Sequence, residues 1–449
     1  MNRFEFPIGL HTTSAFNTAV PDETDVVIIG GGIIGILSAL FLTEKGLRVC
    51  VLEKGRIAGE QSSRNWGWIR QQGRDAAELP LMMEANRLWH QLAPKLDTDI
   101  HLTQGGITYM SRTTKRAEGF ERFMKIASVH GLDTKLLSQK ELQAHIPEMR
   151  RDFIMGMVTP SDLRAEPWIT VPAFARYAQT KGAHISEMCA VRSLDISAGR
   201  VTGVITERGR IKASHVLLAG GAWSSLFLQN HNVSIPQLSV RATVIATQHM
   251  PQVYQGGATD EHIAFRARAE GGYTLATGIT HDLFLGRDAF KHATKFWPVL
   301  KQDPFNNRPI PFGPRDFPDA WTVPHHWGDG KSPFEAMRVL NPKPSKKAMR
   351  VITREFRALF PQLPSVDTSR AWAGMIDTMP DVVPILDHCP SLPGLTISTG
   401  MCGHGFGIGP AIGRIMADMI TGSALGHDLS RFRFSRFSDG SKIVVGPAL

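Results

Sequence analysis

Asp25-Val26-Val27-Ile28-Ile29 runs directly into Gly30-Gly31-Gly32-Ile33-Ile34-Gly35, and Glu53 stands 18 residues beyond Gly35. The first five residues have the continuous Val/Ile content of a short buried strand. The glycines interrupt it, and an apolar run from Ile33 to Glu44 follows, with Gly46 where a helix C-cap is expected. Arg48 to Leu52 reads as a second strand. A strand, a glycine turn, a helix and a strand in this order open an α/β fold with a Rossmann-like βαβ unit. Each glycine has a task. Gly30 permits the tight turn, Gly32 lets a pyrophosphate approach the N–H groups at the helix N-terminus, and Gly35 lets helix and strand pack closely. Ile33 and Ile34 fall within the same turn. Glu53 is placed to accept hydrogen bonds from an adenosine ribose, with Lys54 beside it.

A second signal lies near the other end: Gly400-Met401-Cys402-Gly403-His404-Gly405-Phe406-Gly407-Ile408-Gly409-Pro410. The spacing predicts a glycine-rich loop over 400–409 and a helix over 410–421. Low side-chain bulk lets backbone N–H groups face a ligand, and a helix N-terminus there favours negative charge.

With these two motifs the chain resembles the D-amino-acid-oxidase superfamily of FAD-dependent oxidoreductases. That superfamily includes glycine, sarcosine and γ-glutamylputrescine oxidases and D-amino-acid dehydrogenases. Further signposts agree: Ser62-Ser63-Arg64-Asn65-Trp66-Gly67, Val216-Leu217-Leu218-Ala219-Gly220 leading into Ala222-Trp223-Ser224, and Trp372-Ala373-Gly374. The resemblance implies a noncontiguous FAD-binding domain (22–98, 155–235 and 366–430). It also implies an α+β substrate domain with a mainly antiparallel sheet (99–154 and 236–365), and terminal extensions (1–21 and 431–449). The 62–67 loop would pass close to pyrophosphate and flavin. The backbone near Val191 would hold adenine. Ala219, Gly220 and Trp223 would join the cofactor site, and Gly374, Met375, Gly403, His404, Gly405, Phe406, Gly407 and Ile408 would line the flavin ring.

The implied activity is oxidation of a C–N bond in a secondary amine, an N-substituted amino acid or a D-amino acid. Hydride would pass to flavin N5, leaving an imine that water hydrolyses. A 2-hydroxy-acid dehydrogenase of the same superfamily, or a flavin-binding subunit of a larger electron-transfer complex, is the alternative. The electron acceptor, oxygen or a quinone or carrier, stays open. Two departures from the family pattern bear on the substrate. Ile376 stands where related enzymes place an Arg that grips the substrate carboxylate. No Cys stands near Gly374, so the FAD is expected to be noncovalent. Candidates for substrate contact are Arg64, Arg70 and Arg74 in the 61–75 stretch, which reads as a polar loop, together with Tyr273 in a predicted hairpin and His404. Arg266 and Arg268 are alternative carboxylate partners.

Composition bounds the rest. The 449 residues are 42% hydrophobic and 20% charged, with a formal charge of +9, and no run of five like charges exists. No nucleic-acid reading module is present. Four scattered cysteines without CxxC spacing suit a reducing compartment, so a cytoplasmic location is expected, and they provide no metal site. The pair His325-His326 lacks further ligands. No transmembrane segment is expected, because glycines interrupt the uncharged stretch Val26 to Leu42; peripheral membrane association is left open.

Overall fold

The βαβ unit forms where the spacing predicts it: strand β1 (Glu23–Ile29), helix α1 (Ile33–Glu44) and strand β2 (Val49–Leu52). The computed structural model describes residues 6–446 apart from 151, 279, 303–306, 329 and 364. The two strands pair in parallel, as a crossover helix requires. β1 sits at the centre of an eight-stranded sheet. On one side it pairs with β2, and β2 with His184–Ser186; on the other it pairs with Gly209–Leu218, all in parallel. Leu395–Thr399 continues the parallel layer beyond Gly209–Leu218. Alternate residues of β1 serve opposite faces. Val26 and Ile28 join a core with α1, Glu78–Leu92, Pro167–Thr180 and Gly405–Thr421, while Val27 joins a second core with Trp223 and Phe227.

A ten-stranded, mainly antiparallel sheet forms the second body. Its spine is Leu238–Thr247, paired along its whole length with Thr368–Thr378. The predicted hairpin forms, with Ile263–Ala267 against Tyr273–Thr277. Helix Lys346–Leu359, capped by Ser345 as its sequence suggests, covers one face through Ile352, Phe356 and Leu359. The opposite face looks toward the parallel sheet and its glycine motifs. Two strands, Met155–Thr159 and Thr368–Thr378, lie in this sheet although the boundaries read from sequence assign them to the first body. Their apolar content marks them as strands and carries no record of which edge they join.

Three local differences matter for the site. The helix near the C-terminus is Gly405–Thr421, so it begins five residues before Pro410. Gly407 and Gly409 are therefore helical: Gly407 meets Trp68 and Ile69 backbone, and Gly409 meets Ile33. Second, the 61–75 stretch is not all loop, since Gln61–Arg64 is a helical turn and Trp68–Ile69 a short strand. Third, the terminal extensions are fastened. Phe6 stacks on Trp168 at 4.2 Å, and Arg431 and Arg436 reach Asp381. Residues 1–5 and 447–449 of those extensions lie outside the described residues.

Candidate functional site

A cleft runs along the carboxyl ends of the parallel strands, the position where open α/β sheets bind ligands. Gly30, Gly32, Ile33, Ile34, Glu53 and Lys54 line it from the βαβ unit. Ser62 and Asn65 line it from the helical turn, and Val191, Ala219, Gly220 and Trp223 from the far side. Met375, Gly403, Gly405 and Phe406 close its end. Helix α1 starts there with no side-chain cap at Gly32 and no acidic residue in its first turn. Its N-terminal N–H groups therefore suit a phosphate. Gly30 has φ +112, and a Cβ there would collide with the Ala219 carbonyl. Gly35 lies behind the cleft, where a Cβ would strike the carbonyl oxygen of Gly30.

Glu53 holds the turn. Its Oε2 accepts the Gly31 N–H at 2.8 Å and its Oε1 the Gly55 N–H at 2.7 Å. Burial pushes its carboxyl up to about 7 against the opposing pull of Lys54. Lys54 is bonded to Glu60 at 2.7 Å and lies over the Trp223 ring at 4.2 Å. Each Glu53 oxygen keeps a further lone pair for a hydroxyl donor. A helix N-terminus where only Ile33 N–H has a side-chain acceptor, Ser62 Oγ at 3.0 Å, a glycine cradle that a Cβ would fill and a carboxylate at the end of β2 fit the pyrophosphate and ribose of a dinucleotide.

The other residues expected at the cofactor lie elsewhere. The Ser63 hydroxyl accepts Ile8 N–H. Gly67 packs on the Ala165 carbonyl and Arg266, Gly374 lies against Gln61, and Ile408 is fully buried in the core. Arg64, Trp66 and His404 line a second cavity of about 990 Å³ that adjoins the cleft at Gln61, Asn65, Gly403 and Phe406. Trp66, Trp68 and Tyr109 supply aromatic wall, and Val244 and Ile376 the floor from the spine strands of the second sheet.

Arg70, Arg74 and Arg116 bring positive charge to this cavity. Arg74 is 3% exposed. Its Nε donates to the Arg70 carbonyl at 2.9 Å, and its buried Nη1 has no protein partner. Burial and neighbouring Arg70 lower it to about 9, so it stays charged at neutral pH. Arg70 donates to the Gln72 carbonyl and to the Tyr109 hydroxyl. His404 Nδ1 lies 3.1 Å from Glu78, and its buried Nε2 also lacks a protein partner. Burial, helped by Arg74, pushes the imidazole down to about 4 against the opposing Glu78. Burial raises the Glu78 carboxyl, but His404, Arg74 and Arg70 more than reverse it, so it lies below the usual value. Glu78 is thus an anion and His404 neutral, with Nδ1–H donated to Glu78 and the Nε2 lone pair left bare. Gln61 Oε1 and Trp68 Nε1 are likewise buried without protein partners. Gln61 Oε1 lies against Gly374 and Trp68 Nε1 against Gly257, whereas Arg74 Nη1 and His404 Nε2 are unpaired atoms of cavity-lining residues, each costing about 1–3 kcal/mol while no partner meets it.

Four candidates do not reach a substrate. The Arg64 guanidinium is spent on the carbonyls of Gly59, Ala373 and Ile8 and on Asn341, and it fastens the chain instead. Tyr273 faces the other side of its sheet: its hydroxyl accepts Val253 and Tyr254 N–H, and its ring packs on Phe265 and Phe356. The Tyr sits on the helix-covered face because strand register, invisible in the hairpin pattern, assigns it there. Arg266 forms a buried pair with Glu166, and Arg268 pairs with Glu270. His325 is hydrogen-bonded to Gln229.

Sequence reading missed Gln61, Glu78, Asp377 and the pair Val445-Gly446. Asp377 Oδ2 accepts Gly400 and Met401 N–H and shapes the turn before His404. Cys402, at φ +50 in that turn, donates its thiol to the Gly400 carbonyl at 3.0 Å, and burial keeps the thiol protonated. Val445 and Gly446 line the second cavity from the C-terminal extension. Glu78 carried one weak signal, an acidic residue opening the helix Glu78–Leu92. No helix among the described residues is long and apolar enough to cross a membrane.

Residues 25–419 match the family model described as DAO, FAD dependent oxidoreductase. The β subunit of sarcosine oxidase from Arthrobacter sp is 25% identical over 431 residues, covering 93% of this chain and 92% of the relative. Glycine oxidase from Pseudomonas aeruginosa is 23% identical, covering 88% and 94%. Among solved structures, L-amino acid deaminase from Proteus myxofaciens in complex with anthranilate superimposes with a TM-score of 0.89 at 28% identity, over 96% of this chain and 97% of that one.

Proposed function

The chain belongs to the DAO family of FAD-dependent oxidoreductases, and from that premise we propose that it oxidises the C–N bond of an amine that also carries a carboxylate: an amino acid, primary or N-substituted. The observation that carries this reading is Arg74, a buried cation whose Nη1 has no protein partner beside the neutral His404, at the cavity that adjoins the cofactor cleft.

FAD would lie with its pyrophosphate on the α1 N-terminus, its ribose on Glu53 and its ring toward Met375, Gly403 and Phe406. When bound, the flavin would supply the oxidant for a hydride, one proton with two electrons, lost from the carbon beside nitrogen; the N–H proton passes to water, and the substrate is left as an imine. The residues of the chain do the rest. Arg74, backed by Arg70, meets the carboxylate by a charge-assisted hydrogen bond, the role Ile376 cannot fill. His404 Nε2 accepts an N–H of the amine and so holds the nitrogen with its lone pair free. Glu78 positions that imidazole. Trp66, Trp68 and Tyr109 exclude water. Cys402, with its thiol committed to Gly400, leaves the cofactor noncovalent. The names of the similar proteins agree with this class: glycine and sarcosine are amino carboxylates, and anthranilate joins an amine and a carboxylate on an apolar ring.

Anaerobic flavin bleaching across matched pairs tests the reading. Alanine, proline, sarcosine and leucine should bleach the flavin at least tenfold faster than ethylamine, pyrrolidine, dimethylamine and isopentylamine. Equal rates within the pairs would remove the carboxylate from the proposal. Bleaching by 2-hydroxy acids alone would replace the amine.

A further inference from the structure

Beside the substrate cavity lies a second chamber of about 260 Å³. The two share four lining residues: His281, Gln302, Val445 and Gly446. They also share a wall. On the spine strand Leu238–Thr247, side chains two apart face the same side. Ala242 and Val244 line the substrate cavity, and Leu238 and Val240 line the chamber. The paired strand repeats this, with Ile376 in the cavity opposite Val240, and Thr378 in the chamber opposite Leu238. One continuous sheet face therefore passes from one space to the other, and Ile376 stands at the crossing. Ile376 packs with Val240, Ala242 and Leu283. It also faces Gly403, where an added Cβ would lie 3.7 Å from its Cγ2. That places the crossing next to His404.

The two spaces differ in chemistry. The cavity has Arg70, Arg74 and Arg116 in its wall. Among the described residues lining the chamber there is no Lys, Arg, Asp or Glu. Leu283, Leu285, Phe296 and Leu300 complete an apolar wall with Leu238 and Val240. The chamber opens to solvent beside Phe290, which is 63% exposed, so its apolar wall gains when a hydrocarbon group covers it.

We propose that the chamber is the substrate's side-chain subsite, and that it takes an extended hydrocarbon group of about four to eight carbons, carried on the α-carbon or on the nitrogen. This rests on the reading of Arg74 and His404 as the partners of the carboxylate and the amine. The head group then sits by Arg74 and His404, and the hydrocarbon crosses Ile376 into the chamber. An Arg at 376 would set a charge in that passage, and a charged side chain on the substrate would be stranded without a counter-ion.

Two measurements on the FAD-loaded full chain test this. The first is kcat/KM for flavin reduction by racemic 2-aminobutyrate, norvaline, norleucine and 2-aminooctanoate, with glutamate and lysine as charged counterparts. Burial of each methylene is expected to raise kcat/KM about fourfold, on the order of 100-fold across the series, with glutamate and lysine below norvaline. The second needs no turnover: binding of butanoate, hexanoate and octanoate, read as a perturbation of the flavin absorbance, should tighten by the same factor per methylene. Leu285→Trp and Leu300→Trp should each cut the preference for 2-aminooctanoate over 2-aminobutyrate at least tenfold. Should neither variant fold, the two wild-type series decide alone. A flat response to chain length in both series, or a preference for glutamate or lysine, overturns the subsite. If alkanoates tighten with length while no amine of any length reduces the flavin, the chamber stands and the amine reading falls.

Discussion

The cofactor cleft and the substrate cavity meet at Gln61, Asn65, Gly403 and Phe406, yet they are made of different material. The cleft is a backbone site. Its main recognition elements are the N-terminus of α1, with Ser62 on its first N–H, and a turn whose shape Gly30, Gly35 and Glu53 enforce within one βαβ unit. The cavity is a side-chain site. Arg74 follows a short strand, Glu78 opens one helix, His404 precedes another, and Ile376 comes from the second sheet. A backbone site tolerates change in most side chains and fails when a small residue grows. A side-chain site should fail the opposite way, losing substrate while keeping its flavin.

The largest break in this comparison is expected at Arg74. Arg74→Ala removes the free cation and leaves the Glu78 carboxylate without it. Loss of one partner of a buried charge pair costs about 2–5 kcal/mol, so kcat/KM for amino acids should fall about 30-fold or more. Flavin content should match wild type, and Arg74→Lys should recover part of the activity. If Arg74→Ala instead loses its flavin while turning over normally when reloaded, the two regions have been assigned the wrong way round.

The converse is Gly35→Val. Its Cβ would strike the Gly30 carbonyl, which cannot swing aside as a flexible side chain would. Overpacking of this kind costs roughly 3 kcal/mol, a weakening of flavin binding by about 100-fold. The ratio of flavin to protein absorbance after desalting reads it directly. Wild-type stoichiometry would show that the turn is not the cofactor's cradle.

The difference between the regions explains what could be read in advance. Gly30, Gly32, Gly35 and Glu53 stand at fixed offsets because a short βαβ unit has one geometry, so the sequence alone located the cleft. The cavity depends on contacts between distant residues, such as His404 with Glu78, which lie 326 positions apart. No local pattern predicts that pairing. Arg64, Arg70 and Arg74 look alike as letters, yet Arg64 is consumed by backbone carbonyls while Arg74 keeps Nη1 free. Tyr273 failed for a related reason, since a hairpin pattern fixes alternation and leaves open which face meets the ligand. Gly407 was legible as a residue that must be small, but its small size serves helix packing against Trp68 and Ile69.

A sharper test of the cavity is Glu78→Gln. The anion holds the His404 Nδ1–H and so leaves the Nε2 lone pair free to accept the amine N–H. A neutral amide offers a weaker partner, at a cost of about 1.5 kcal/mol or more, so flavin reduction should slow about tenfold. Glu78 raises the His404 pKa, so its removal should move any acid limb below the wild-type value of about 4. Stopped-flow reduction from pH 3 to 8 checks both. An unchanged rate would make the pair a packing contact and return the amine to another acceptor.

The last test is at Glu53, and it asks whether the cleft is purely a backbone site. Burial raises its carboxyl from 4.5 to about 7 in the free protein. Ribose hydroxyls donate best to the ionised form, so bound cofactor draws the pKa back down. Binding then releases a proton between roughly pH 5 and 7, and affinity should rise with pH across that window and level off above it. A single proton limits the slope to about tenfold per pH unit. Protein stability without cofactor has the opposite sign. Over the same window the folded chain binds more protons than the unfolded one, so stability falls as pH rises. Glu53→Gln should flatten the affinity profile and weaken binding at pH 8 by about 1–3 kcal/mol. A wild-type profile already flat from pH 5 to 8 would mean that Glu53 only fastens Gly31 and Gly55, and that the ribose is held by backbone as the phosphates are.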